Sequence, residues 1–156
     1  MEYKEMIDKE RVLAEFLELI GIRCSTHDER EVGDLLTKRL QELGGTVHED
    51  KAGEALGGNC GNLVADFPAT EGQEDRPTVM LTAHMDCVEP CADIHPVREN
   101  GIIRSDGTTI LGGDDKAGIA AILEGVRRIR ERDVRHGLIQ AVFTICEEVG
   151  MHGAMG

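Results

Sequence analysis

Two apolar runs constrain this chain most: Thr78–Ala83 (TVMLTA) and Leu138–Ile145 (LIQAVFTI). The first is almost continuously apolar, which predicts a strand buried on both faces. The second predicts another apolar strand, opened by Gly137. Between them a helix starts at Asp114 or Asp115, with Ile119, Ile122, Leu123, Val126 and Ile129 on its inner face. Arg127, Arg128 and Arg130 in its last turn complement the negative end of the helix dipole.

The earlier part of the chain reads as two helices and further strands. Leu13, Phe16, Leu17 and Ile20 predict an amphipathic helix over about residues 5–20. Thr26-His27-Asp28-Glu29 has the pattern of a capping box. It precedes a helix carrying Val32, Leu35, Leu36, Leu40 and Leu43 and stopped by Gly44-Gly45. Thr46–Asp50 suits an edge strand, Asn62–Phe67 a better one, and the glycine-rich stretch 51–61 a loop. Gly101–Ser105 is a short strand before the turn signal Asp106-Gly107. The order predicts an α/β fold with helices packed on a mostly parallel, mixed central sheet.

Composition narrows the function classes. The 156 residues carry a formal net charge of -13, which argues against nucleic acid and anionic membrane as partners. Three Phe, one Tyr and no Trp leave little for base stacking. No run is long enough to span a bilayer, and the charged N-terminus lacks the pattern of a signal peptide, so a cytoplasmic location is expected. The five cysteines have no disulfide-framework spacing and read as structural or incidental thiols.

The chemistry gathers where those strands end. Strands of open α/β sheets deliver functional groups at their carboxyl ends. His84 and Asp86 follow the first run and Glu147 and Glu148 follow the second, so parallel strands would bring them to one rim. His84 is a candidate metal ligand, and Asp86 is placed to accept a hydrogen bond from its other ring nitrogen. In Gly112-Gly113-Asp114-Asp115-Lys116 one aspartate could cap a helix or bridge two cations. A Walker-type phosphate loop is absent. Of Glu147 and Glu148, one could coordinate metal while the other acts as general base. Carboxylates directly after a core strand need their desolvation offset, and a dication does that. His27, His48, His95, His136 and His152 have no ligand-like neighbours and read as surface or structural residues.

With these residues assembled, the chain resembles the co-catalytic zinc metallopeptidases that include peptidase T, aminoacylase and glutamate carboxypeptidase, and in particular the peptidase T-like branch. The segments TAHMDCV, SDGTTILGGDDKAGIAAILE, HGLIQAVFTICEEVGMHGA and, less specifically, GNLVADF carry the resemblance. It implies His84, Asp114 and Glu148 as metal ligands, with Asp114 chosen over Asp115 by an Asp-x-Lys pattern. It also implies Asp86 and Glu147 as the catalytic pair, Asp86 orienting His84 and Glu147 serving as general base.

The implied cofactor is Zn2+, two ions per full-length chain, with Mn2+ or Co2+ able to occupy such a site. The implied reaction is hydrolysis of short peptides in the manner of a tripeptide aminopeptidase. A deacylase or carboxypeptidase of the same superfamily is the alternative, as is a catalytically inactive fragment. Family members run to more than twice this length. Residues 1–156 would then be the N-terminal part of the catalytic domain, inactive alone. The remaining Asp and His ligands, the other half of the catalytic domain and a lid domain that forms a homodimer would lie outside it.

Overall fold

A computed structural model describes residues 7–155. Three longer helices, α1 (Lys9–Ile20), α2 (Arg30–Glu42) and α4 (Gly113–Glu131), and one short helix, α3 (Ala52–Leu56), accompany six strands. The strands are β1 (Thr46–Glu49), β2 (Leu63–Phe67), β3 (Val79–His84), β4 (Pro96–Glu99), β5 (Ile102–Ser105) and β6 (Ile139–Thr144). Residues 5 and 6 of the expected first helix lie outside the described residues.

The main sheet has the order β1-β2-β6-β3 and is mixed. β1–β2 and β2–β6 are antiparallel, and β3–β6 is the parallel pair, with Val79 beside Ile139 and His84 beside Thr144. Alternation decides which face is covered. Leu63, Ala65 and Phe67 of β2 and Ile139, Ala141 and Phe143 of β6 are buried. They join Leu19, Leu36, Leu40, Ile119 and Leu123 of the three helices in one core. The residues between them, Val64, Asp66, Gln140, Val142 and Thr144, are half-buried.

β3 departs from the expectation of a strand buried on both faces. Val79 is 51% and Met80 62% exposed, and burial begins only at Ala83 and His84. β3 is the outer strand of the sheet, so among the described residues no strand covers its free edge. Apolar content alone could not reveal that position.

Other expectations need correction. The stretch 51–61 is not all loop: α3 forms there and ends at Gly57, whose φ of 76° is the left-handed closure glycine tolerates. Pro96–Glu99 pairs with β5 as a separate hairpin around Asn100-Gly101. Both turn residues have positive φ, at 53° and 78°, as a tight hairpin turn demands. Proline at the first position of β4 hid that strand in the sequence, although an outer strand accepts it. The Thr26–Glu29 capping box does not form either. Glu29 precedes α2 without any side-chain cap bond and is fully buried, and Thr26 bonds elsewhere.

Candidate metal centre

The parallel pairing of β3 and β6 puts their carboxyl ends side by side, and the Met85 amide continues the ladder to the Thr144 carbonyl at 2.8 Å. His84 ends β3, and the chain after β6 turns at Cys146, whose φ of 53° is left-handed, to present Glu147 and Glu148. The start of α4 supplies the third side. Gly112 and the two aspartates are non-helical, so the regular helix begins after Asp115. The Asp115 carboxylate accepts the Gly118 amide at 3.0 Å, a capping bond. Asp114 instead points its Oδ1 to within 3.0 Å of His84 Nε2. The two aspartates thus differ: Asp115 caps α4, while Asp114 faces His84.

Ligand atoms of His84, Asp114 and Glu148 lie within 4.8 Å of one another. Glu147 Oε2 is 4.0 Å from His84 Nε2. All five residues singled out from the sequence therefore meet at one place. Asp86 is the buried hub. Its Oδ1 accepts the Glu147 amide at 2.9 Å, and its Oδ2 accepts the Glu148 amide at 3.2 Å and the Thr26 hydroxyl at 2.8 Å. The expected bond from the His84 ring to the Asp86 carboxylate is indirect: Nδ1 lies 3.0 Å from the Asp86 carbonyl oxygen and 3.5 Å from Oδ1.

The charges follow from this packing. The Asp86 carboxylate raises the His84 imidazole to about 9 against the burial that lowers it, and Asp114 adds to the rise. Burial pushes the Asp86 carboxyl up, but His84, the Thr26 hydroxyl and the two glutamate amides outweigh it and hold the group at about 2. The Glu148 carboxyl is raised, first by burial and then by Glu147 and Asp114, while His84 opposes the rise. An imidazole beside crowded carboxylates is a suitable donor set for a borderline divalent ion such as zinc. A cation would relieve the repulsion that raises Glu148. The residues present therefore fit the metal that the family resemblance implies.

Residues outside these five support the site. Lys116 is fully buried, and its Nζ donates to the Met85 carbonyl and lies 3.3 Å from Cys87 Sγ, tying α4 to the end of β3. Asn62 accepts the Ile145 amide at 3.0 Å and donates to the Gly153 carbonyl at 2.8 Å, fixing the chain on both sides of the glutamates. The five cysteines are free and buried, as structural thiols would be. An apolar hollow of about 530 Å³ between α1 and α4, lined by Ile7, Val12, Ile129 and Val134, lacks any of the five site residues. Among the described residues no helix is long and apolar enough to cross a membrane.

Comparison with known proteins gives the same direction. The model of peptidase family M20/M25/M40 matches residues 80–156. The uncharacterised protein YqjE of Bacillus subtilis (strain 168) is 40% identical over 149 residues, covering 96% of this chain and 39% of its own length. The aminopeptidase PepT structure from Bacillus cereus ATCC 10987 superposes with a TM-score of 0.91 at 41% identity, covering 97% of this chain and 40% of that one. A tripeptidase from Staphylococcus aureus subsp. aureus Mu50 gives 0.90 at 42% identity, covering 96% and 40%. The chain thus spans about two fifths of the length of these relatives. Residues 80–156 thus match the peptidase family M20/M25/M40, and the chain as a whole is similar in fold and sequence to the aminopeptidase PepT and tripeptidase structures.

Proposed function

We propose that the protein containing this chain hydrolyses short peptides at a dinuclear zinc centre, releasing the N-terminal residue. The observation that carries the proposal is the convergence of His84, Asp114 and Glu148 within 4.8 Å, with Glu147 beside them. The aminopeptidase and tripeptidase named above support the substrate class. His84 and Glu148 are proposed as ligands of the two ions and Asp114 as the bridge between them. Further Asp and His ligands, and a lid that forms a homodimer, are assigned to the protein outside these residues. A cytoplasmic location is part of the same proposal.

Zinc, when bound, polarises the substrate carbonyl and makes water a stronger nucleophile. Glu147 takes the proton of the attacking water and delivers it to the leaving amine. Its side chain is 38% exposed, so substrate and water can reach it. Asp86, buried and ionised, holds the glutamate turn and the His84 ring in register.

The test is a panel of di-, tri- and longer peptides assayed with the full-length protein, with metal analysis on the same sample. Release of N-terminal residues by protein holding two zinc ions is expected, as is loss of turnover in E147A with the metal retained. Turnover by E147A at the wild-type rate would remove Glu147 from the mechanism. Absence of peptide hydrolysis across the panel would remove the substrate assignment.

A further inference from the structure

Three consecutive main-chain amides in the glutamate turn each end on a carboxyl oxygen. The Cys146 amide donates to Glu29 Oε1 at 3.2 Å, the Glu147 amide to Asp86 Oδ1 at 2.9 Å and the Glu148 amide to Asp86 Oδ2 at 3.2 Å. Both carboxyl groups are fully buried. Both are also governed by one short segment before α2. Thr26 donates its hydroxyl to Asp86 Oδ2 at 2.8 Å, and Glu29 comes from the same segment.

We propose that Thr26 and Glu29 are positioning residues for Glu147 and Glu148. This inference rests on the proposed peptidase site. Thr26 acts through Asp86. Its hydroxyl fixes the rotation of a carboxylate that must meet two successive amides at once. Glu29 acts on the turn directly. Cys146 is not glycine, yet it adopts a φ of 53°, a conformation that needs surrounding contacts to hold it.

Glu29 also shows why its role is positional. Its Oε1 accepts the Cys146 amide and, at 3.1 Å, the His27 amide. Its Oε2 is buried and has no hydrogen-bond partner among the described residues. A carboxyl with an orphan buried oxygen is a costly way to fill space. One oxygen serves the turn, and burial raises the group toward its neutral form. Glutamine keeps one side-chain oxygen to accept the Cys146 and His27 amides.

The test uses the full-length protein and the variants T26V, T26S, E29A and E29Q. Hydrogen-exchange mass spectrometry follows the peptide containing residues 146–148, and steady-state kinetics separate kcat from KM. T26V and E29A are expected to speed exchange in that peptide by roughly tenfold, the equivalent of one hydrogen bond. They are expected to lower kcat by roughly 10- to 100-fold at unchanged KM. T26S and E29Q are expected to restore both readouts toward wild type. Wild-type kcat and exchange in T26V and E29A overturn the inference. If those two variants do not fold, T26S and E29Q decide: retained exchange protection and kcat support it, and their loss overturns it. A wild-type protein that hydrolyses no peptide overturns the proposed function instead, and exchange then decides the positioning role alone.

Discussion

The Asp86 carboxylate lies 2.9 Å from the main-chain nitrogen of Glu147, so the acid that follows β3 sets the backbone of the acid that follows β6. Asp86 is fully buried, held ionised, and within 3.5 Å of the His84 ring. D86N keeps the shape but replaces one acceptor with a donor facing an amide or a hydroxyl. In the full-length protein it is expected to weaken zinc binding by roughly 10- to 100-fold, the usual cost of losing such a partner. Zinc affinity by competition with a chelator checks this, and unchanged affinity would contradict the hub role.

Asn62 tests how firmly the rim is built. Its side chain accepts the Ile145 amide and donates to the Gly153 carbonyl and to Asp50 Oδ2, the last at 2.7 Å. N62L offers none of these partners at a residue only 7% exposed. At about 1–3 kcal/mol for each buried group left unsatisfied, a loss of at least about 2 kcal/mol is expected. Urea denaturation of this chain and its variant measures it, and a loss under about 0.5 kcal/mol would place the Ile145 amide in contact with another acceptor.

What was legible in the sequence depended on range. α2 follows the spacing of Val32, Leu36 and Leu40, which are all fully buried, because a helix face is a local pattern. His84, Asp86, Glu147 and Glu148 were legible because strand ends gather groups on one rim, and Asp114 because its motif opens a helix. Thr26 and Glu29 were misread for the opposite reason. Their spacing fits a local cap, but their partners, Asp86 and Cys146, lie 60 and 117 residues away. β3 was misread because an apolar strand at a sheet edge and one at its centre have the same composition.

His84 gives a pH signature in the metal-free chain. Its folded value, raised to about 9, exceeds the ordinary value near 6.5. Its contribution is therefore fully present below about pH 6.5 and is lost as pH rises through about 9. Cys24 opposes this in part of the window: its bonds to Cys87 and Lys116 lower the thiol to about 6, which favours the fold as pH rises. The difference between wild type and H84Q isolates the histidine. That difference is expected to shrink by about 1–3 kcal/mol between pH 6.5 and 9.5, read from urea denaturation at each pH. A difference independent of pH would show that His84 is not held charged by Asp86.

Asp114 and Asp115 should separate cleanly by substitution. The Asp114 side chain is 87% exposed and its Oδ1 faces His84 Nε2, so its place in the fold brings little stability. Asp115 accepts the Gly118 amide and so supports the first turn of α4. D115A is expected to destabilise this chain by about 0.5–2 kcal/mol, as loss of a cap does. The full-length D115A protein should still hold its zinc. D114N is expected to leave stability of the metal-free chain within about 0.5 kcal/mol, as exposed substitutions do. On the proposed bridging role it should nevertheless lower the zinc content of the full-length protein, because a neutral amide is a weaker metal ligand than a carboxylate. Denaturation curves and metal analysis on both variants make the comparison. Zinc lost from D115A and kept by D114N would exchange the roles of the two residues.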